Sequence, residues 1–132
     1  MAAGSRARAG LTPERVVDAA LAIVDDAGAD RLTLARVAER TGVATPSLYK
    51  HVPGLPGLHR LVRLRVLAEV DETLRAATLG RAGPDALRAL ATAYRDYLRS
   101  HPHRHAFLET APPPDDPQLQ AAAGRVVEVV YA

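Results

Sequence analysis

Among the side chains between residues 33 and 51 that can donate hydrogen bonds are Thr33, Thr45, Ser47, Tyr49, Lys50 and His51. Hydroxyls and a flexible ammonium group in one short stretch suit contacts to phosphate oxygens and to base edges. Lys50 is the only lysine; the other sixteen basic residues are arginines. From Arg31 to Arg65, seven basic residues stand against one acid, Glu39, a local balance of +6. Residues 71–132 hold seven arginines and eight acids, a balance of −1. The asymmetry turns one end of the molecule towards an anionic partner. The plainer reading is a solvated basic face.

These residues need a scaffold, and the pattern around them is helical. Thr12 caps a first helix with Pro13 at its first position and Glu14 in its first turn. Its apolar face is Val16, Val17, Ala20, Leu21, Ile23, Val24 and Ala27, and Gly28 stops it. Thr33 starts a second, short helix with Leu34, Val37, Ala38 and Thr41 inward, ending at Gly42. Thr45 is then expected to cap a third helix, with Pro46 at its first position, running to His51. Two short helices joined by a tight turn make a helix-turn-helix, whose second helix enters the major groove. Leu48 and Val52 would anchor that helix, leaving Tyr49, Lys50 and His51 on its polar side. Helix N-termini also bind phosphate, and Thr33 is placed to help.

Downstream, Pro56 or Leu58 opens a long helix to about Leu79, apolar on more than one side. After the Gly80–Gly83 break, Pro84-Asp85 restarts the chain, with Leu87, Leu90, Ala91, Tyr94, Tyr97 and Leu98 expected inward. His101-Pro102 ends that helix, and a proline-rich stretch from Ala111 to Pro117 is a loop. The last helix starts near Gln118, with Leu119, Ala122, Ala123, Val126, Val127, Val130 and Tyr131 as its apolar stripe. The stripe reaches the chain end without a closing turn, so these residues read as the front part of a longer protein.

Composition excludes several classes. The 132 residues are 48% hydrophobic and include 26 alanines but only 4% aromatics. That balance fits an all-α fold. The expected division is a DNA-binding domain over residues 1–55, with a mobile basic arm at its start, and a helical domain over 56–132. No cysteine is present, which removes disulfides, cysteine metal sites and thiol nucleophiles. No stretch approaches the roughly 20 apolar residues of a membrane span. No apolar run follows Arg6 and Arg8 as a secretory signal requires, and a cytoplasmic location is expected. Ser5, Ser47 and Ser100 lack a nucleophile-elbow setting, no glycine-rich phosphate loop occurs, and no enzyme activity is expected. His101, His103 and His105 tempt a metal reading, but Pro102 interrupts them and no acid completes a set. No metal or cofactor is expected.

The stretch from Leu32 to Leu58, LTLARVAERTGVATPSLYKHVPGLPGL, resembles the TetR family of transcriptional regulators. The likeness lies in T-L-x-x-V-A-x-x-x-G-V followed by L-Y-x-H-V, and covers residues 12–60. A weaker likeness to one subgroup's C-terminal domains lies in AYRDYLRSHP, Ala93 to Pro102. The resemblance implies a three-helix DNA-binding domain followed by a helical effector and dimerisation domain. It implies a homodimeric repressor on a palindromic operator in double-stranded DNA, released by a small-molecule effector that moves the fourth helix. The family's DNA contacts carry over to Thr33, Ala44, Thr45, Pro46, Ser47, Tyr49, Lys50 and His51. Ala44 and Pro46 offer no hydrogen-bonding side chain, and the lysine many members carry near the start of the fourth helix is replaced at about Leu55. Tyr94, Tyr97 and Phe107 are candidates to line an effector pocket, against the plainer reading of core aromatics. A different class, a helical protein–protein module working through the Leu119–Tyr131 stripe, would have no reason to gather the basic stretch.

Overall fold

A computed structural model describes residues 10–131. The basic arm expected before residue 10 lies outside the described residues. Every regular element described is helical, with no strand among the described residues. The chain divides into two compact units between Val62 and Arg63.

In the first unit, α1 (Pro13–Ala27) is capped by Thr12, whose Oγ1 accepts from the Arg15 N–H at 3.2 Å. Gly28 closes it at φ 96° and donates its N–H to the Val24 carbonyl at 2.8 Å. The buried face is the expected one, except that Ala19 is in and Ala27 is out. A 3-10 turn (Ala29–Arg31) delivers Leu32 to the core. Helix α2 (Leu34–Thr41) starts from Thr33, whose Oγ1 accepts from the Arg36 N–H at 3.1 Å. Each such cap stabilises its helix by about 1 kcal/mol. Helix α2 ends at Gly42 in the left-handed region at φ 75°.

The third helix differs from expectation. Helix α3 is Thr45–Leu48, and its cap is Ala44, with no side-chain cap bond. Ala44 holds the extended backbone and its carbonyl takes the Ser47 N–H at 2.9 Å, so the turn begins one residue early. Beyond Leu48 the bonds tighten to three-residue spacing. Tyr49, Lys50 and His51 donate to the carbonyls of Pro46, Ser47 and Leu48. The α-helix is therefore one turn long, followed by a 3-10-like turn. Helix α4 (Leu55–Thr78) follows, and Leu58 and Val62 from its first turns are fully buried.

The second unit contains the remainder of α4, then α5 (Gly83–Ser100), a 3-10 segment (Pro102–Phe107) and α6 (Pro117–Tyr131). Leu67, Leu119 and Ala122 form a core cluster, with Leu64, Leu108, Ala123 and Val126 packed on it. Asp116 caps α6, its Oδ1 accepting from the Leu119 N–H at 3.2 Å. Arg104, only 6% exposed, donates to the Tyr97 hydroxyl at 2.9 Å and lies 3.3 Å from Glu69 Oε2. A buried cation needs such partners.

Two apolar faces depart from expectation. Leu87, 61% exposed, and Ala91 face solvent. On α6, Val129 is buried, while Val127, Val130 and Tyr131 are exposed. Periodicity identified the apolar residues, but no described neighbour covers these positions. No helix among the described residues is long and apolar enough to cross a membrane.

Candidate nucleic-acid interface

The turn between α2 and α3 is set by Gly42. Its N–H and that of Val43 both reach the Ala38 carbonyl, at 2.9 and 3.1 Å. A positive φ there favours glycine. From this turn α3 presents two faces. Leu48, with no exposed surface, and Val52 point into the core. Burying a leucine side chain is worth about 1.5–3 kcal/mol, enough to hold so short a helix in place. Opposite them, Ala44, Pro46, Tyr49 and Lys50 are exposed, with Tyr49 at 57%. Thr45, Ser47 and His51 are half-buried.

Seven of the eight sequence-derived residues thus lie on the segment 44–51, and the eighth, Thr33, caps α2. The Thr33 oxygen already accepts from Arg36 N–H, so its own proton is left to donate. Donors here comprise three hydroxyls from Thr33, Thr45 and Ser47, the Tyr49 phenol and the Lys50 ammonium. Arg36, in the first turn of α2, is exposed and forms no ion pair among the described residues. It belongs with this group, and its place three residues after a cap was the available signal. Arg40 lies 3.8 Å from Asp26, both largely exposed, a contact of small energy.

The exit from the segment is fixed by a contact that spacing alone does not reveal. Gly54 turns the chain at φ 116°, and Pro53 then lies against Gly57 in the first turn of α4. A Cβ on Gly57 would come within 2.4 Å of Pro53 Cγ. Only glycine permits this approach.

The candidate effector residues separate. Tyr94 and Phe107 border a cavity of about 220 Å³ in the second unit, together with Arg63, Leu67, Val70 and Val126. Tyr97 does not line it. Its hydroxyl accepts from Arg104, whose guanidinium carbon is 5.6 Å from the Tyr97 ring centre, and its ring lies 5.1 Å from that of His101. One Nη of Arg63 donates to the Thr110 carbonyl, while its Nε is buried without a hydrogen-bond partner. A larger open groove of about 390 Å³ is bordered by Arg81, Asp85 and Arg88. Its charges serve one another, with Asp85 3.7 Å from Arg81 and 3.8 Å from Arg88. No three His, Cys, Asp or Glu side chains among the described residues group as metal ligands.

Known proteins resemble this chain. The family described as bacterial regulatory proteins, tetR family, matches residues 16–53. A family of tetracyclin repressor-like C-terminal domains matches residues 87–132. The uncharacterized HTH-type transcriptional regulator Rv0681 of Mycobacterium tuberculosis is 39% identical over 98% of this chain and 65% of its own length. The HTH-type transcriptional repressor DrrR1 of Streptomyces coeruleorubidus is 40% identical over 70% of this chain and 33% of its own. The class A tetracycline repressor from transposon 1721 of Escherichia coli is 34% identical over 69% and 45%. The chain therefore spans less than two thirds of the length of each of these relatives. A crystal structure of a chain from Shewanella sp. PV-4 assigned to the tetR family superposes with a TM-score of 0.66 at 22% identity. It covers 90% of this chain and 68% of that one, a likeness of fold.

Proposed function

Because the chain belongs to the tetR family of bacterial regulatory proteins, we propose that it is a ligand-responsive transcriptional regulator, a repressor that leaves its operator when a small molecule binds. The observation that carries this reading is the two-faced recognition segment. Leu48 and Val52 are buried while Tyr49 and Lys50 stand out, in a unit where no other large apolar side chain among the described residues is exposed. Tyr49, Lys50, Thr45 and Ser47 meet the major groove, with Ala44, Pro46 and His51 beside them as shape and methyl contacts. Thr33 and Arg36 hold phosphates, which fix register rather than sequence.

The working form is a homodimer in the cytoplasm, reading two half-sites about one helical turn apart in a palindrome. The DNA-binding domain runs to about residue 55, with the first turns of α4 packed into its core. Residues 56–132 belong to the effector and dimerisation domain, and the Tyr94–Phe107 cavity is its ligand site. Tyr97 stands outside that lining, with its hydroxyl held by Arg104. No residue is assigned a catalytic role, and no cofactor or metal is needed.

The test is selection of duplexes from a random pool by the purified protein, with Tyr49→Ala, Lys50→Ala as the comparison. The expected result is an enriched palindrome, with a loss of about 100-fold or more in affinity in the double variant, equal to about 2.7 kcal/mol. A folded double variant with full affinity would remove α3 as the recognition helix.

A further inference from the structure

The cavity of the second unit has mainly apolar walls and carries one cation, Arg63, and one acid, Glu109. Leu67, Val70, Tyr94, Phe107 and Val126 form its walls, and Arg63 lies on the same lining. One Nη of Arg63 is spent on the Thr110 carbonyl, but its buried Nε has no acceptor. Buried donors left unpaired are rare in folded proteins and call for an explanation. The acid on the lining, Glu109, lies 3.8 Å from His105 Nε2 and is 57% exposed. Arg63 thus keeps an uncompensated positive charge beside apolar walls. A guanidinium meets a carboxylate through planar, charge-assisted hydrogen bonds. A volume of about 220 Å³ corresponds to about seven waters of liquid. That admits one ring with short substituents, and Tyr94 and Phe107 favour a flat one.

We infer that this cavity takes a small, flat, apolar carboxylic acid in its ionised form, the carboxylate seated on Arg63 and the ring against Leu67, Phe107 and Val126. The inference rests on the effector reading above and names the chemical class of the effector. It makes Arg63, which lies on α4, the residue that selects charge, while the apolar walls select shape.

Calorimetric titration of the full chain with three probes of matched shape tests it: 4-ethylbenzoate, 4-ethylbenzamide and 4-ethylbenzylamine. The acid should bind about 10- to 100-fold tighter than the neutral amide, the range a charged hydrogen-bonded contact provides. The amine should bind weakest. Arg63→Gln should bring acid and amide to within about three-fold, and Arg63→Lys should restore part of the gap. The probe comparison on the unaltered chain stands even where a variant folds poorly. Equal affinity for acid and amide, a preference for the amine, or no binding of the acid would each overturn the inference. Release from the selected operator is read separately. An acid that binds through Arg63 without releasing DNA removes the effector reading and leaves the ligand class. Release by the amine alone removes the ligand class and leaves the effector reading.

Discussion

The two compact units close their cores to different degrees. Among the described residues, eight of the ten largest fully buried side chains lie between Val16 and Val62, in the first unit, and Val66 and Val70 belong to the second. The large exposed hydrophobics run the other way. Among the described residues, five of six, namely Leu79, Leu87, Val127, Val130 and Tyr131, are in the second unit. The sixth is Tyr49, on the recognition segment. Exposure therefore carries different information in the two units. Where no other large apolar side chain among the described residues is exposed, one exposed aromatic beside a lone lysine marks a working surface. Where several are exposed together, no single one does.

The same chemical change should separate the units. Leu48→Ala removes the anchor of α3 from a site with no exposed surface. The expected loss is about 2–5 kcal/mol of stability, as for other fully buried leucines. Urea unfolding followed by circular dichroism measures it. A loss below about 1 kcal/mol would mean that the site collapses around the gap and that Leu48 does not hold the segment.

A middle-sized effect is expected at the exit of the recognition segment. Gly57→Ala forces a methyl group against the Pro53 ring, and overpacking of this kind costs about 1–3 kcal/mol. Relief requires Pro53 to move, and Pro53 ends the turn that carries Tyr49 and Lys50. Operator affinity should therefore fall together with the melting temperature. Reduced stability with unchanged affinity would uncouple this contact from recognition.

Much of the first unit was legible because its determinants are local. Thr12 with Pro13, Thr33, Gly28 and Gly42 each act within four residues of themselves, as caps and stops do. Leu48 and Val52 were legible as anchors because four-residue spacing puts them on one face. Ala44 was not legible as a cap, since its role comes from backbone geometry and not from a side chain. The Gly57–Pro53 approach depends on how two backbones meet, which no propensity encodes. In the second unit the missing information is long-range. Tyr94 and Tyr97 look equivalent at three-residue spacing. One borders a cavity and the other is taken by Arg104, which also reaches Glu69 across 35 residues of sequence. Arg63 stood in the sequence as part of a basic run; its place on a mainly apolar cavity needed the fold. Periodicity marked Leu87 and Val130 as apolar, yet it cannot supply the neighbour that would cover them.

Leu87 provides the smallest expected effect and the sharpest check on the contrast. It is 61% exposed on α5, so Leu87→Ala removes little buried area and should change stability by less than about 0.5 kcal/mol. Helix propensity does not offset this, because leucine and alanine are both strong helix formers. Urea midpoints taken at two protein concentrations, about 20-fold apart, give the reading, since a covered face makes stability depend on concentration. A small and concentration-independent change keeps the face open and leaves Leu48 and Leu87 as opposite ends of one scale. A loss above about 1 kcal/mol that grows with concentration would instead place a second copy of the chain on α5. The openness of the second unit would then belong to the single chain and not to the assembled protein.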